Sequence, residues 1–233
     1  MSTDIEITDL GQFSKKFHKT YELFKNNLEN NEEVGASFAV YQGGACLIDL
    51  YGGYRDRDKK NKWDQDTIVN VHSTSKGIVA MIVAKLIDEG NLELNKNVSD
   101  YWPEFSELGK ENIKVKTLLS HQAGLYGWRQ SIDETDFYNW DYVVNLLAKQ
   151  EPYHKPEEKI CYHPKTIGFL VGELIKRVTN KSVGKNLEDL LNHPLKTKCF
   201  IGTPLTYHDN IAELISSESL RQAFSNPQNV DEY

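Results

Sequence analysis

The sequence predicts an α+β fold in which an antiparallel sheet is flanked by a mainly helical region. Two short runs of strand-forming apolar residues, Ala36–Tyr41 and Ala45–Tyr51, lie on either side of Gly43 and Gly44. Glycines readily adopt the positive φ of a tight turn, so this pattern is typical of a hairpin. Further along, the long apolar run Gly77–Ile87 and several segments with helical spacing indicate helices. Strands grouped together and followed by helices predict the α+β class.

An amphipathic helix is predicted before the hairpin. Apolar residues recur there at steps of three and four, which places them on one helix face. They are Leu10, Phe13, Phe17, Tyr21, Phe24 and Leu28. Asn30 and Asn31 are expected to end this helix. We therefore assign residues 1–33 to an N-terminal helix and residues 34–71 to the hairpin and sheet strands.

Residues 72–215 are predicted to form the helical region. The run Gly77–Ile87 is apolar on all sides, which is typical of a helix that passes through a core, and Gly90 stands where a C-cap is expected. Further helices are predicted at Trp140–Gln150, Thr166–Val178 and Lys185–Leu191. Gly168 and Gly172 are four residues apart, so they share a helix face and permit close packing there.

The C-terminal residues 216–233 are polar and acidic, and we predict that they form a tail. No linker, repeat or low-complexity tract divides the residues before them. The sequence therefore predicts one domain over residues 1–233.

Composition and charge exclude several functions. The chain has 233 residues, with 27 Lys+Arg against 34 Asp+Glu and a net charge of −7, which disfavours nucleic acid as a partner. Residues 1–6 lack the basic flank and apolar stretch of a secretory signal, and no apolar run approaches the ~20 residues that span a bilayer. These features predict a cytoplasmic protein without a membrane partner. The three cysteines are widely spaced and form neither a disulfide framework nor a metal knuckle.

The motif Ser-x-x-Lys occurs twice, and its surroundings distinguish the two copies. Ser182 and Lys185 precede a short amphipathic helix, which predicts an N-cap serine and a solvated lysine. Ser73 and Lys76 join an extended segment to the apolar helix, where the serine lies beside unpaired helix N–H groups. Desolvation there would lower the pKa of Lys76 and make it a base for a nucleophilic serine. The alternative is a capping Ser73 with a Lys76 that extends into water.

Other candidates lie around residue 162. Tyr162 follows a Pro-rich loop and opens a predicted helix, so it is the candidate for a second acid–base group, with simple packing as the alternative. His121 and His163 invite comparison with triad members, but structural or surface roles are favoured for both. A thiol nucleophile at Cys161 activated by His163 is disfavoured, because side chains two residues apart do not face each other on a helix.

Several segments, in order along the chain, resemble one family. Ser73-Thr-Ser-Lys76 resembles the nucleophile motif of the penicillin-binding-protein and class C β-lactamase-type serine hydrolases. Leu118–Leu125 is similar to the family's Leu-Leu-(Thr/Ser)-His-x-(Ser/Ala)-Gly-Leu signature. Tyr162-His163 and the helix after it resemble the tyrosine motif of the β-lactamase-related esterase branch. The segments at 66–72 and 199–204 also match, so the resemblance extends from about residue 35 to about residue 212.

The resemblance implies a β-lactamase/transpeptidase-like fold and an acyl-enzyme mechanism on a small ester or amide. Ser73 would attack the carbonyl, and Lys76 and Tyr162 would share the general-base and general-acid steps. The Ser73 backbone N–H would form half of the oxyanion hole. The resemblance implies no metal and no organic cofactor.

The sequence departs from the family pattern at two places. Pro164 stands where the tyrosine motif often has an asparagine, and the printed sequence contains no Lys/His-(Thr/Ser)-Gly tripeptide. The resemblance places that tripeptide on a central strand that donates the second oxyanion N–H. We therefore expect a truncated domain that lacks C-terminal sheet strands. The alternative to a hydrolase is a catalytically impaired pseudoenzyme or split-protein half, with a partner chain or self-association covering the open sheet edge.

Overall fold

A computed structural model gives the structure of the protein and describes residues 5–11 and 15–216. These residues form two compact units. The first comprises the chain up to Asn70 together with the segment from Pro204 onwards, and the second comprises Val71–Thr203. Apart from Ser216, the predicted polar tail lies outside the described residues.

The first unit contains a three-stranded antiparallel sheet with the order β1-β3-β2. The strands are β1 (Ile7–Asp9), β2 (Gly35–Gln42) and β3 (Ala45–Gly53). Gln42 pairs with Ala45, and only Gly43 and Gly44 lie between them. These glycines have φ of +58° and +80°, as a type I′ turn requires. The predicted hairpin is therefore confirmed.

The N-terminal helix begins later than predicted. Helix α1 spans His18–Glu29, and Leu10 follows β1 instead of lying on the helix. The reason is that β1 pairs with β3, which removes these residues from the helical run. The Asp9 carboxylate then accepts a hydrogen bond from the Gly11 N–H at 2.9 Å, which fixes a turn after the strand. Phe13 lies outside the described residues.

The second unit is mainly helical. Its α-helices are α2 (Thr74–Asp88), α3 (Val115–Leu119), α4 (Trp140–Lys149), α5 (Thr166–Thr179), α6 (Val183–Leu187) and α7 (His193–Leu195). A π-helical turn at Glu188–Asn192 joins α6 to α7, so the helix predicted from Lys185 begins two residues earlier and changes its winding. No helix in the described part of the chain is long and apolar enough to cross a bilayer.

Helix α2 is not enclosed on all sides, contrary to the prediction. Ile82, Val83 and Leu86 are buried in the core of the second unit, but the opposite face is exposed, with Met81 at 47%. The helix has apolar residues on every side, but the described residues that pack against it cover only one of its faces. Gly90 has φ of +73° two residues beyond the helix, where the C-cap glycine was predicted.

Helices α4 and α5 pack closely at one glycine. A Cβ atom built on Gly172 would lie 2.6 Å from the Trp140 ring, so only glycine permits this approach. A Cβ atom on Gly168 would meet none of the described atoms within 4 Å. The predicted packing role therefore applies to Gly172 and not to Gly168. Beside this contact, the Trp140 indole N–H donates to the Glu173 carboxylate at 2.7 Å.

Candidate active site

The position of Ser73 is set by the beginning of α2. Ser73 is the N-cap residue, and His72 before it has φ of +46°, a left-handed conformation that few non-glycine residues adopt. The chain therefore turns sharply into the helix at this point. Backbone N–H groups at a helix start are not used by the helix itself, and the dipole there favours negative charge. Ser73 is exposed, so its hydroxyl is accessible.

Three residues predicted as a site lie together around the Ser73 hydroxyl. Lys76 Nζ donates a hydrogen bond to Ser73 Oγ at 3.0 Å, from one turn along α2. The Tyr162 hydroxyl donates to the same oxygen at 2.9 Å. Lys76 Nζ also lies 5.0 Å from the centre of the Tyr162 ring. The structure thus brings a hydroxyl, an amine and a phenol into one hydrogen-bonded cluster within the second unit.

The neighbours of Tyr162 in this cluster lower the pKa of its phenol. Hydrogen bonds to Lys76 and then to Ser73 lower the pKa of Tyr162, and the positive charge of Lys76 adds to this effect. Lys76 itself is half-buried. The arrangement therefore favours the anionic form of Tyr162.

The second Ser-x-x-Lys motif has a different environment. Ser182 Oγ accepts a hydrogen bond from the Lys185 backbone N–H at 3.1 Å and caps α6. The Lys185 ammonium extends to Glu188 at 2.7 Å and Asp189 at 3.3 Å. The predicted N-cap serine is confirmed, and its lysine forms ion pairs with carboxylates.

The histidines near the tyrosine support the backbone. His163 is fully buried, and its ring nitrogens contact the Leu125 N–H at 3.0 Å and the Cys161 carbonyl at 2.5 Å. Burial lowers the pKa of His163 to about 4. Burial, followed by the charge of Lys76, also lowers the pKa of His121. The structural role that the sequence favoured for His163 is confirmed, but its contact with Leu125 spans 38 positions and could not be predicted from a local pattern.

A cavity of about 910 Å³ lies next to Lys76 in the second unit. Its walls come mainly from apolar side chains of α2 and α5 and from residues 200–202. Pro164 lines it at the position where the family pattern has an asparagine, so no side-chain amide is present there. The cavity offers apolar space beside the lysine of the site.

The part of the chain that the structure describes holds no group of three or more His, Cys, Asp or Glu side chains arranged to bind a metal ion. The cysteine thiols are likewise separate from one another, and all three residues are half-buried. Cys161 takes part in the site through its backbone, because its N–H donates to the His121 carbonyl at 3.0 Å.

Two curated proteins illustrate the relatives of this chain. The esterase/beta-lactamase LipL of Mycobacterium tuberculosis is 32% identical over 187 residues, which cover 80% of this chain and 43% of the relative. The teichoic acid D-alanine hydrolase of Staphylococcus aureus is 29% identical over 181 residues, which cover 78% of this chain and 43% of the relative. This chain thus spans less than half the length of each of these two relatives.

Solved structures agree in fold. A family VIII carboxylesterase superposes with a TM-score of 0.85 at 37% identity, covering 90% of this chain and 57% of that chain. A penicillin-binding protein homologue from Caulobacter crescentus superposes with a TM-score of 0.87 at 33% identity, covering 96% of this chain and 62% of that one. The Beta-lactamase family matches residues 22–210. The chain therefore belongs to the beta-lactamase family and has its β-lactamase/transpeptidase-like fold, as the resemblance implied.

Proposed function

We propose that this chain carries the acylation centre of a serine hydrolase that acts on a small ester or amide. The observation that supports this most strongly is the pair of hydrogen bonds to Ser73 Oγ, from Lys76 at 3.0 Å and from Tyr162 at 2.9 Å. Serine is a weak nucleophile unless a base adjoins it, and both candidate bases adjoin this one.

Tyr162 is the better candidate for the base that takes the serine proton. The pKa of its phenol is lowered by Lys76 and Ser73, so the phenolate forms more easily. The proposed step starts from the Tyr162 phenolate, which has released its proton to solvent and accepts a hydrogen bond from the Ser73 hydroxyl. Ser73 Oγ forms a bond to the carbonyl carbon, one C=O electron pair moves to the carbonyl oxygen, and the serine proton passes to the Tyr162 oxygen. The same proton then passes to the leaving alcohol or amine as its bond to carbon breaks. Lys76 stays charged and stabilises the phenolate.

Tyr162 and Ser73 then exchange protons in the opposite direction, and water hydrolyses the acyl-enzyme. The phenolate takes a proton from water, the hydroxide oxygen attacks the acyl carbon, and the proton returns to Ser73 as the ester bond breaks. The Ser73 backbone N–H at the start of α2 is the proposed oxyanion donor. We assign no second donor within residues 5–11 and 15–216. Loss of one such donor costs about 10²–10³ in rate.

The apolar cavity beside Lys76 supports an ester with an apolar acyl or alcohol group as substrate. Relatives named as an esterase, a carboxylesterase and a D-alanine hydrolase are consistent with ester chemistry. No metal or organic cofactor takes part in the proposed reaction, since base, acid and nucleophile are all side chains.

The proposal is tested by covalent labelling. The purified chain is treated with a fluorophosphonate, and the adduct is located by peptide mass spectrometry. We expect one adduct, on Ser73, which is lost in Ser73→Ala and retained in Ser182→Ala, the matched serine of the second motif. An unlabelled Ser73 in folded protein, alongside a carboxylesterase that labels under the same conditions, contradicts the proposal.

As a second candidate, we propose a catalytically impaired chain that binds a partner, or another copy of itself, along its sheet. Strand β2 is an edge strand among the described strands, and it exposes Phe38 at 43% and Tyr41 at 65%. The exposed face of α2 is a further apolar surface. Light scattering after size exclusion, with hydrogen exchange on β2, tests it. A monomer whose β2 amides are protected on both edges of the strand argues against this candidate.

A further inference from the structure

We propose that His163 is a positioning residue, which holds Tyr162 against Ser73 by a clamp that requires its neutral Nδ1–H tautomer. This inference rests on the proposed function, because it gives Tyr162 a catalytic task. The clamp consists of His163, His121, Leu125 and the backbone of Cys161, all in the second unit.

The tautomer follows from the two partners of the ring. Nε2 lies 3.0 Å from the Leu125 backbone N–H, which can only donate, so Nε2 accepts and carries no proton. Nδ1 lies 2.5 Å from the Cys161 carbonyl, which can only accept, so Nδ1 carries the proton. A protonated ring would direct a second N–H at the Leu125 N–H. The complete burial of His163 opposes that charged form as well.

The backbone on both sides of Tyr162 is fixed to the same loop. The Cys161 N–H donates to the His121 carbonyl at 3.0 Å, and the His163 N–H donates to His121 Nδ1 at 3.1 Å. His121 has φ of +61°, and in this conformation its carbonyl and its ring both accept hydrogen bonds from the segment that contains Tyr162. The His163 ring adds the bond to Leu125. The backbone therefore cannot shift at Tyr162 without breaking at least one of these bonds.

The tyrosine needs this support because its own side chain is poorly enclosed. Tyr162 is 51% exposed, and its ring packs on the His121 ring with 5.0 Å between the ring centres. Its hydroxyl must still remain within hydrogen-bond distance of Ser73. An error of about 1 Å in such a contact can cost about 100-fold in rate, so the clamp acts on catalysis through position.

The groups that face His163 include other titratable side chains. His121 lies with its ring centre 5.4 Å away, and Tyr126 meets the ring edge-on at 6.2 Å. Positive charge on His121 or His154 would further oppose protonation of His163. Lys76 acts in the same way on His121. The neighbours thus reinforce the neutral form that the clamp needs.

Three variants test the positioning role. His163→Phe keeps a ring but removes both hydrogen bonds. His163→Gln keeps an acceptor for the Leu125 N–H. His193→Phe is the matched control, because the exposed His193 ring pairs with Glu188 and takes no part in the clamp. The fluorophosphonate acylation rate of Ser73 is measured together with the titration of Tyr162, followed by ¹³Cζ-tyrosine NMR. We expect His163→Phe to acylate about 10- to 100-fold more slowly and its Tyr162 to titrate at higher pH. We expect His163→Gln to be intermediate and His193→Phe to match the wild type.

The outcomes separate this inference from the proposed function. A folded His163→Phe protein with wild-type acylation and wild-type Tyr162 titration overturns the clamp. If the wild type does not acylate, the proposed function fails, and the Tyr162 titration still decides whether His163 positions the phenol. If His163→Phe does not fold, two other measurements test the clamp. They are the tautomer of wild-type His163, determined by ¹⁵N NMR, and the titration of Tyr162 in His163→Gln. An Nε2–H tautomer overturns the clamp, and the Nδ1–H tautomer with a shifted Tyr162 titration in His163→Gln supports it.

Discussion

Tyr162 donates a hydrogen bond to Ser73 Oγ at 2.9 Å, although 89 positions separate the two residues in the sequence. Lys76 reaches the same oxygen from the next turn of the same helix. The site therefore has a local half, set by helix geometry, and a distant half, set by tertiary structure. Both halves belong to the second unit.

The two lysines of the Ser-x-x-Lys motifs should differ in their effect on acylation. Lys76→Met removes the ammonium that hydrogen-bonds Ser73 and lowers the pKa of Tyr162, so we expect Ser73 to be labelled about 10²–10⁴-fold more slowly. Lys185→Met removes only ion pairs with Glu188 and Asp189, so its labelling rate should be unchanged. Intact-mass kinetics with a fluorophosphonate measures both. Equal rates for the two variants would contradict the assignment of Lys76.

The glycines of α5 make a matched pair for stability. Gly172→Ala places a methyl group about as close to the Trp140 ring as the 2.6 Å given by an ideal Cβ, so we expect a loss of about 1–3 kcal/mol in the free energy of unfolding. Gly168→Ala meets open space among the described residues and gains helix propensity, so it should be stabilising by about 1 kcal/mol. Urea denaturation of both variants measures the difference. A neutral Gly172→Ala would show that the close contact with Trp140 costs no more to relieve than the helix propensity gained, about 1 kcal/mol.

Local chemistry predicts the parts of the structure that neighbouring residues decide. Gly43 and Gly44 predict the hairpin because the tight turn needs positive φ at both positions, and both have it. The separation of Ser73 and Lys76 predicts their contact, because a step of three residues places them on one helix face. These features require no knowledge of the rest of the chain.

Partners that are distant in sequence decide the remainder. Leu10 fits the helical period, but pairing of β1 with β3 takes precedence there. The composition of α2 predicts complete burial, yet burial depends on which residues pack against it, and Met81 remains exposed. His163 finds its partners 38 and 42 positions away, in Leu125 and His121, so no local pattern reports its role. The surroundings of Tyr162 made it a candidate acid–base group with packing as the alternative, and the family resemblance then linked it to Ser73.

Stability should decrease in acid because of His163. The pKa of this residue is lowered from 6.5 to about 4 in the folded chain, mainly by burial. Between these values the unfolded chain binds a proton and the folded chain does not, so the free energy of unfolding falls as the pH decreases through this window. The contribution is complete above pH 6.5 and is lost by pH 4, and it amounts to about 3 kcal/mol.

Urea denaturation at several pH values between 4 and 7 measures this dependence. His163→Gln cannot take up the proton, so its stability should vary less steeply over the window. His18 has an exposed side chain, so His18→Gln serves as the control. The same slope in wild type and His163→Gln would mean that other groups cause the acid sensitivity. His121 is the first candidate, since burial lowers its pKa too.

Two carboxylates near α5 should differ in their contribution to stability. Glu173 is buried, and it accepts hydrogen bonds from the Trp140 indole N–H and the Arg177 Nε, both at 2.7 Å. Glu173→Leu leaves both donors without this acceptor inside the second unit, so we expect a loss of about 3 kcal/mol in the free energy of unfolding. Asp141 forms an ion pair with Lys176 at 3.0 Å, but its side chain is 81% exposed.

For Asp141→Asn we therefore expect a change of less than about 1 kcal/mol, because water already solvates both charges of an exposed pair. Chemical denaturation of the two variants at low and high salt measures the contrast. Salt should weaken only the Asp141 pair, since ions screen exposed charges more than buried ones. If Glu173→Leu is as stable as Asp141→Asn, apolar packing of the leucine compensates for the lost acceptor. In that case the buried carboxylate contributes little more to stability than a well-packed leucine does at the same position.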